Sequence, residues 1–346
     1  MDKSILNICI VGAGRAGLIH AENFAGRVPG ARLAAFADPD GEAAKTAIGL
    51  FSRGLAGGPV KYYKSHTDAL ADREIDAFVI VTPTKYHRGI VVDVARAGRH
   101  ALCEKPMAMT EAECDDMIEA ADRAGVILQI GFMRRFDEGY ARAKEIVAAG
   151  AIGDVVMVRS NTRGPSVPQR WMYDIAASNG PLAEVNSHDI DTLRWFSGSE
   201  FDTIFAIGGN FRSPEARAGY PDFYDNVVLA AGMKNGVQGM IDGAQGVGYA
   251  YDARTEILGV KGCIFVGRTQ DSAVVTCTSE TGGAAYPLVK SWRQLFRDAY
   301  LAEDKAFCDA VRNGTPPLVT GLDGKMAVAA VNAGNRSIRE KIAVSL

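Results

Sequence analysis

The chain has 346 residues, enough for two domains, and its 47% hydrophobic and 23% charged residues are typical of a globular protein. A formal net charge of -3 gives no reason to expect nucleic acid or an anionic membrane as a partner, and no apolar run approaches the ~18 residues of a membrane-spanning helix. The six cysteines are scattered without a Cys-x-x-Cys pair, so we expect free thiols. The N-terminus passes directly into a strand-like run without a cleavage site, which predicts a cytoplasmic protein.

A glycine-rich turn follows the first predicted strand, residues 5–11. It reads Gly12-Ala13-Gly14-Arg15-Ala16-Gly17 and precedes an alanine-rich helical stretch to about residue 28. Gly12 would permit the tight turn, Gly14 would let the backbone approach a pyrophosphate, and Gly17 would let helix and strand pack closely. The helix N-terminus would supply N–H groups and a dipole that favours negative charge. The pattern predicts a dinucleotide-binding unit.

The second predicted strand, residues 32–37, ends in Asp38, about 20 residues past the last glycine of the turn, as the dinucleotide fingerprint requires. A carboxylate at this place hydrogen-bonds a ribose 2′-OH and repels a 2′-phosphate. Pro39 and Asp40 follow, where a basic residue would suit NADP. We therefore predict NAD in preference to NADP. Asp38 could also cap the helix that begins near Pro39, which is compatible with binding the ribose.

Strands and helices continue to alternate up to residue 131. Residues 53–61 are glycine-rich and predict a surface loop, whereas the apolar run 76–82 is typical of a parallel strand covered on both faces. This run ends in Thr82-Pro83, and His87 follows at the edge of the sheet where such folds bind ligands. A helix is predicted over 90–98.

A further strand ends in Glu104-Lys105-Pro106. The next helix has Thr110 as its predicted N-cap and Glu113 as the partner in a capping box, and it runs to Gly125. A strand over 127–131 closes the series. This order predicts a doubly wound parallel sheet.

The second half of the chain is richer in strands than in helices. Short Gly and Asn turns such as 234–236 join successive strands, which predicts an antiparallel sheet. The predicted strands are 155–163, 204–212, 226–233, 236–244, 256–260, 263–267 and 273–278. Near the C-terminus, helices are predicted over 291–313 and 322–338, with a last strand over 341–346.

One predicted helix, residues 181–196, interrupts these strands. Glu184, His188, Asp191 and Trp195 lie at i, i+4, i+7 and i+11, and therefore on one face. A carboxylate one turn before an imidazole can orient it as a general base, although the same spacing also fits a solvated face with a local Glu–His pair. No third ligand motif supports a zinc site, and no Gly-x-Ser-x-Gly supports a hydrolase.

Four stretches together resemble the Gfo/Idh/MocA oxidoreductase superfamily: the glycine turn, the Thr-Pro-x-x-x-His string, Glu-Lys-Pro at 104–106 and the run 131–137. The chain is most similar to the inositol 2-dehydrogenase branch, over nearly its whole length. The resemblance implies an α/β Rossmann domain over 1–131 and an α+β domain over 132–346 with a large, open, mainly antiparallel sheet. It also implies a C-terminal helix that packs on the first domain, and it favours a cis Lys105–Pro106 bond.

The resemblance also implies roles for individual residues. His188 matches the family's base, but Glu184 stands where its Asp partner is usual, and whether Lys105 or His188 accepts the proton stays open. Thr162 and Gly164 flank Arg163 where inositol enzymes carry larger polar residues, which predicts a related polyol or sugar as substrate. Tyr249 and Tyr251 match a substrate-lining segment, although without the resemblance they are equally typical of edge aromatics in a sheet. The implied cofactor residues are Gly12, Ala13, Gly14, Arg15, Ala16, Gly17, Asp38, Thr82, Pro83, His87, Glu104 and Lys105, and the implied substrate residues are Arg134, Arg163, Asp191, Tyr249 and Tyr251.

The resulting hypothesis is an NAD-dependent dehydrogenase that oxidises a secondary alcohol of a cyclic polyol or sugar, with no metal. His188 would take the hydroxyl proton, Glu184 would orient it, and Lys105 would hydrogen-bond the reacting oxygen. The resemblance also implies a homo-oligomer, a tetramer or dimer through the C-terminal sheet. Two alternatives remain open: an NAD-dependent glycosidase or glycoside 3-dehydrogenase of the same superfamily, and a dinucleotide-sensing regulator. Retention of both Lys105 and His188 argues against the regulator.

Overall fold

A computed structural model describes residues 5–51, 58–280 and 282–346. The described chain divides into two compact units, one running to Phe136 and including Asp298–Met326, the other comprising Asp137–Arg297 and Ala327–Leu346. A domain boundary after residue 131 stays a prediction, since the first compact unit continues five residues further and takes in a C-terminal segment. No helix in the described residues is both long and apolar enough to cross a membrane.

The sheet of the first unit has six parallel strands, in the order β3-β2-β1-β4-β5-β6. This order confirms the predicted doubly wound sheet, with the switch in direction between β1 and β4. β3 was not predicted, because it has only three residues and begins at Lys61, the last residue of the glycine-rich stretch 53–61 that predicts a loop. Residues 53–57 of this stretch lie outside the described residues. The strands are β1 (Leu6–Val11), β2 (Ala31–Ala37), β3 (Lys61–Tyr63), β4 (Ala77–Ile80), β5 (His100–Glu104) and β6 (Leu128–Gly131).

Helices connect these strands: α1 (Arg15–Phe24), α2 (Gly41–Phe51), α3 (His66–Leu70), α4 (His87–Arg96) and α5 (Glu111–Ala124). The predicted capping box of α5 is present. Thr110 Oγ1 accepts a hydrogen bond from Glu113 N at 3.2 Å, and Glu113 Oε2 accepts one from Thr110 N at 3.2 Å. Gly125 ends the helix in the left-handed conformation, at φ 64°.

The core of the first unit lies between the sheet and its helices. Ile8, Ile10 and Val79 are fully buried, and Phe307 from the C-terminal segment belongs to the same cluster. These strands are continuously apolar in the sequence because helices cover both faces of the parallel sheet. All six cysteines of the chain are free thiols, as expected, and four of them are buried.

The second unit contains a seven-stranded sheet in the order β12-β11-β7-β10-β9-β8-β15. Five of its six strand pairs are antiparallel, and only β7 and β10 run parallel, which confirms a mainly antiparallel sheet. A separate antiparallel pair is formed by β13 and β14. The strands are β7 (Val155–Gly164), β8 (Phe201–Gly209), β9 (Asn226–Met233), β10 (Gln238–Gln245), β11 (Asp252–Gly259), β12 (Gly262–Val266), β13 (Thr276–Thr278), β14 (Gly283–Ala285) and β15 (Val344–Ser345).

The helices of the second unit before the C-terminus are α6 (Glu138–Ala148), α7 (Ile175–Ser178), α8 (Gly180–Glu184) and α9 (Ser187–Ser197). α9 covers one face of the sheet at β7. Ser160 in β7 donates a hydrogen bond to Asp189 in α9, with Oγ and Oδ1 2.6 Å apart. Since side chains alternate along a strand, Ser160 and Thr162 face α9, whereas Asn161 and Arg163 lie on the opposite face.

The C-terminal part is helical, with α10 (Trp292–Leu295), α11 (Arg297–Asn313) and α12 (Gly321–Glu340). The predicted helix 291–313 is therefore two helices, with a break at Phe296, whose backbone at φ -107° and ψ 19° leaves the helical region. The predicted terminal strand shortens to two residues, Val344 and Ser345, which pair with β8.

Candidate active site

The glycine turn of the first unit has the geometry that its sequence predicts. Gly12 has φ 110°, and a Cβ there would lie 2.8 Å from Val81 O. A Cβ on Gly17 would lie 2.1 Å from Gly12 O, so only glycine lets α1 approach the turn this closely. A Cβ on Gly14 would meet nothing within 4 Å, so the space in front of this glycine is open. This open space suits a group that approaches the backbone, as a pyrophosphate does.

The N-terminus of α1 can receive an anion. Gly14 is its N-cap and supplies no side chain to cap the helix. The first bond within the helix runs from Leu18 N to Gly14 O at 3.0 Å, so the N–H groups of Arg15, Ala16 and Gly17 precede the helical ladder. These N–H groups and the helix dipole favour a phosphate. The residues of the turn therefore fit the diphosphate of NAD.

Asp38 follows β2 and contacts the glycine turn. Its Oδ2 accepts a hydrogen bond from Ala13 N at 2.7 Å, and its Oδ1 accepts one from Asp40 N at 2.8 Å. Each carboxylate oxygen has a second lone pair, so Asp38 can still accept hydrogen bonds from ribose hydroxyls. Asp40, and not Asp38, caps α2: its Oδ1 accepts from the N–H groups of Glu42 and Ala43, each at 3.1 Å. The capping role considered for Asp38 is thus wrong.

Two residues after β4, Thr82 carries a buried hydroxyl oxygen with no hydrogen-bond partner among the described residues. An unsatisfied buried hydroxyl is costly, so this atom is a suitable contact for a bound ligand. Pro83, next to it, is exposed and has φ -57° and ψ 139°. Both positions lie at the carboxyl edge of the sheet, consistent with their prediction as cofactor residues.

His87 does not offer a ring nitrogen to a cofactor. Its Nε2 lies 2.8 Å from Thr82 O and its Nδ1 lies 2.9 Å from Pro106 O, and the side chain is buried. Burial lowers the pKa of His87, although both carbonyl contacts favour the charged form. His87 therefore links the loop after β4 to the loop after β5, and its prediction as a cofactor residue stays a prediction.

The Glu-Lys-Pro segment ends β5. Glu104 is 5% exposed, and its Oε2 accepts a hydrogen bond from Lys105 N at 2.9 Å. The Lys105–Pro106 peptide bond is cis, as the family resemblance favours. Lys105 is partly exposed directly after the last strand residue. Arg134 is a predicted substrate residue in the same unit. It is 1% exposed and belongs to the largest fully buried side chains of the described residues, so its role as a substrate contact stays a prediction.

The predicted helix 181–196 of the second unit is interrupted. α8 ends at Glu184, Val185 has φ -113° and Asn186 has φ -93° with ψ 2° before α9 begins. Val185 N and Asn186 N both donate to Pro181 O, at 2.9 Å and 3.1 Å, which closes α8. Glu184 and His188 therefore do not occupy the one continuous helix that the sequence predicts, whereas the pairing of their side chains stays a prediction. The side chain of Asn186 donates to Asp189 Oδ2 at 2.8 Å, which stabilises the break.

His188 lies in the first turn of α9 and is 6% exposed. Thr192 Oγ1 donates a hydrogen bond to His188 O at 2.7 Å. Asp191 is 2% exposed on the same helix, so it does not belong to a solvated face. Buried polar residues on α9 agree better with a functional helix than with a surface one.

Arg163 lies on the sheet face opposite α9. Its guanidinium forms a two-point ion pair with Asp242, with Nε and Oδ1 3.2 Å apart, and its Nη1 lies 3.8 Å from Asp252 Oδ2. The Asp242 carboxylate raises the pKa of Arg163. The alternation along β7 thus places Arg163 on the face opposite the Ser160 side chain that contacts α9, and its role as a substrate contact stays a prediction.

The two predicted tyrosines have different surroundings. Tyr249 is 48% exposed, and its hydroxyl donates to Asp252 Oδ2 at 2.8 Å, which associates it with Arg163 and not with His188. Burial together with the Asp252 carboxylate raises the pKa of Tyr249. Tyr251 is 7% exposed, and its ring packs edge-on against Phe296 at 6.4 Å between centroids. Tyr251 stays a substrate candidate, whereas Tyr249 belongs to the ionic cluster on the other face.

Two further buried polar residues of the second unit were not predicted from the sequence. Ser187 Oγ and Gln245 Oε1 are buried and have no hydrogen-bond partner among the described residues. Gln245 ends β10 on the face of Gly243, and a Cβ on Gly243 would lie 2.2 Å from Asn186 Oδ1, so the start of α9 lies over this part of the strand. Unsatisfied buried hydrogen-bonding groups suit a hydroxyl-rich ligand. No spacing pattern in the sequence indicates either residue.

The comparisons with known proteins cover nearly the whole chain. The family model described as oxidoreductase family, NAD-binding Rossmann fold matches residues 6–132, and the GFO/IDH/MocA C-terminal domain matches residues 140–265. A myo-inositol 2-dehydrogenase of Thermotoga maritima is 34% identical over 99% of this chain and 98% of its own length. A scyllo-inositol 2-dehydrogenase (NAD(+)) of Bacillus subtilis is 31% identical over 97% and 95%.

A solved structure has the same fold. The scyllo-inositol dehydrogenase from Lactobacillus casei, with bound cofactor NAD(H) and scyllo-inositol, superposes with a TM-score of 0.89 at 27% identity and covers 99% of each chain. The glycine turn and Asp38 of this chain fit the same cofactor. The chain belongs to the Gfo/Idh/MocA oxidoreductase family and is an NAD-dependent dehydrogenase.

Proposed function

We propose that this dehydrogenase oxidises a secondary alcohol of a cyclic polyol or sugar, inositol or a close relative, to a ketone. The observation that carries the proposal is the buried His188 together with two unsatisfied hydrogen-bonding groups of the same unit: Ser187 Oγ, next to it in the sequence, and Gln245 Oε1, on the strand that the start of α9 covers. Several hydroxyls on one ring could satisfy such groups, whereas a simple alcohol would leave them unpaired. Full-length similarity to two inositol 2-dehydrogenases supports the same substrate class.

The residues have separate tasks in this reaction. Bound NAD supplies the two-electron acceptor for the hydride released at the carbinol carbon. His188 takes the hydroxyl proton on a ring nitrogen, and Lys105 Nζ hydrogen-bonds the reacting oxygen as negative charge develops there. Glu104 holds the backbone at Lys105 through the bond to its N–H. Tyr251 and Arg134 are proposed substrate contacts, while Arg163 and Tyr249 are left out because Asp242 and Asp252 engage them.

The substrate assignment is tested with a panel of inositols, monosaccharides and glycosides, each with NAD and with NADP, followed by the near-ultraviolet absorbance of NADH. We expect net NADH with at least one cyclic polyol and a preference for NAD. Aglycone release from a glycoside without net NADH would instead identify the glycosidase. No turnover with any member of the panel would overturn the proposed substrate class.

The roles of Lys105 and His188 are tested by Lys105→Met and His188→Asn. Each variant should keep NAD affinity and lose at least about a hundredfold in kcat, since each removes a proton donor or acceptor at the reacting oxygen. The matched controls are Lys64→Met and His66→Asn, on exposed or half-exposed positions of the first unit. Near-normal kcat in Lys105→Met would make this mechanism wrong.

We also propose that residues 1–131 form the cofactor domain and 132–346 the substrate and oligomerisation domain.

The outer face of the seven-stranded sheet exposes several large apolar side chains: Phe205, Ile207, Val228 and Met240. A second copy of the chain covering this face would remove them from water and give a dimer or tetramer. Light scattering after gel filtration tests this, with Ile207→Glu expected to dissociate the assembly. A monomeric native protein would overturn it.

A further inference from the structure

A buried chain of polar side chains ends at the backbone of Lys105. Asn23 Nδ2 donates to Asp304 Oδ2 at 2.8 Å, and Asp304 Oδ1 lies 2.7 Å from His20 Nδ1. His20 Nε2 lies 3.4 Å from Glu104 Oε1, and Glu104 Oε2 accepts from Lys105 N at 2.9 Å. All of these residues belong to the first unit, and His20 and Asp304 are 284 residues apart in the sequence.

Three carboxyl groups are buried in and beside this row of polar side chains: those of Glu104, Glu303 and Asp304. His20, Asp304 and the neighbouring Glu303 are fully buried, and Glu104 is 5% exposed. Within the described residues, no Lys or Arg side chain pairs with these three carboxylates, and both Glu303 oxygens have no hydrogen-bond partner. Buried charges must be paired or neutralised, so this cluster has to hold protons or a cation.

The electrostatic surroundings of the cluster favour protons over a cation. Burial alone would lower the pKa of His20, but the Asp304 and Glu104 carboxylates outweigh burial and raise it well above its usual value. Burial, reinforced by the charge of Glu104, raises the pKa of Glu303. An imidazolium between two carboxylates, with a neutral Glu303 beside it, leaves far less uncompensated charge than three ionised carboxyls would.

We propose that His20 is a positioning residue for the dehydrogenase reaction: held by Asp304, its charged ring orients Glu104, which in turn fixes the backbone that carries Lys105. The inference rests on the proposed role of Lys105 at the reacting oxygen. His20 touches neither substrate nor the reacting atoms and acts through Glu104 alone. A long ion pair of 3.4 Å to His20 on one side and a backbone bond of 2.9 Å on the other restrict how the Glu104 carboxylate can rotate.

A metal ion is the rival explanation. His20 Nε2 and one oxygen each of Glu104 and Glu303 lie within 4.8 Å of one another, and Asp304 on Nδ1 resembles the outer carboxylate of a metal-bound histidine. The two explanations differ in the state of Nε2, which carries a proton in ours and must be deprotonated to bind a metal.

Two substitutions of His20 separate its contacts. In His20→Asn the amide can replace Nδ1 toward Asp304 but cannot reach Glu104, whereas in His20→Gln the longer amide can still donate to Glu104. We expect His20→Asn to lower kcat about tenfold or more with NAD affinity within about twofold, and His20→Gln to recover part of the loss. Tyr300→Leu, which removes an aromatic ring packed edge-on against His20 at 5.4 Å, should lower stability without this selective loss of kcat.

Two further measurements do not depend on turnover and therefore hold even if the proposed substrate is wrong. On the full chain with NAD bound, amide hydrogen exchange at Lys105 should accelerate about tenfold or more in His20→Asn but not in Tyr300→Leu. Nitrogen NMR of the His20 ring at neutral pH should show both nitrogens protonated. Unchanged exchange at Lys105, a neutral ring, or one tightly bound metal per chain in elemental analysis would each overturn the inference.

Discussion

Asp38 and Ala13 are joined directly, by a hydrogen bond of 2.7 Å from the backbone N–H of Ala13 to the Asp38 carboxylate. The residue proposed to select the ribose thus also holds the turn proposed to receive the diphosphate. If both proposals are right, one side chain couples cofactor selection to the shape of the binding turn.

Replacement of Asp38 by Ala should weaken NAD binding more than a lost ribose contact alone would. We expect KM for NAD to rise about tenfold or more, with NADP affected less, since the repulsion of a 2′-phosphate is removed as well. Initial rates with both cofactors measure this. Asp40→Asn is the matched control, because Asn can still cap α2, and KM for NAD should stay normal. Equal effects of both variants would contradict the assignment.

Gly17 and Gly14 should respond differently to the same substitution. In Gly17→Ala the new Cβ would lie 2.1 Å from Gly12 O, so we expect a loss of about 1–3 kcal/mol in stability and a lower Tm. In Gly14→Ala the Cβ meets open space, so Tm should stay close to the native value while KM for NAD rises, because the methyl group occupies the approach to the backbone. Thermal unfolding without cofactor and initial-rate kinetics separate the two effects. Normal NAD binding by Gly14→Ala would place the diphosphate elsewhere.

Gln245→Leu tests the proposed substrate contact in the second unit. The Oε1 of Gln245 is buried without a partner, so an apolar side chain of similar size should leave Tm unchanged or raise it. The same change should raise KM for the polyol about tenfold, because a substrate hydroxyl would lose its partner. Gln238→Leu, at the exposed opposite end of β10, is the control and should alter neither quantity. Lower stability with unchanged KM would mean that Gln245 is purely structural.

The lowered pKa of Asp72 should make the free energy of unfolding depend on pH. Hydrogen bonds from Lys61, Tyr63 and the backbone of Glu74 lower its pKa to about 2. A carboxyl whose pKa is depressed by folding stabilises the protein above its ordinary pKa of about 4, and this stabilisation is lost as the pH falls toward 2. Asp72→Asn should therefore cost about 1 kcal/mol at neutral pH, a small value because Lys61 is 44% exposed. Urea unfolding of both proteins should show this difference disappearing at about pH 2–3, and a constant difference would contradict the explanation.

The sequence alone determined the cofactor half of this protein. Gly12 and Gly17 allow close contacts within the turn and with Val81 after the neighbouring strand, Gly14 leaves open space, and Thr110 with Glu113 forms its capping box within one helical turn. Such local relationships follow from spacing, because backbone geometry fixes which neighbours meet. The continuously apolar parallel strands were predictable for the same reason.

Tertiary structure decided the rest. The break before α9 involves Asn186, whose side chain bonds Asp189 and packs on Gly243 from a distant strand, so helical spacing alone did not reveal that residues 181–196 form two helices. Alternation along β7 places Arg163 on the face away from α9, but its ion pair with Asp242 depends on the pairing of β7 with β10, which a single strand does not reveal. His20 meets Asp304 across 284 residues. Contacts between side chains far apart in the sequence have no period to reveal them, because they arise only when separate elements pack together.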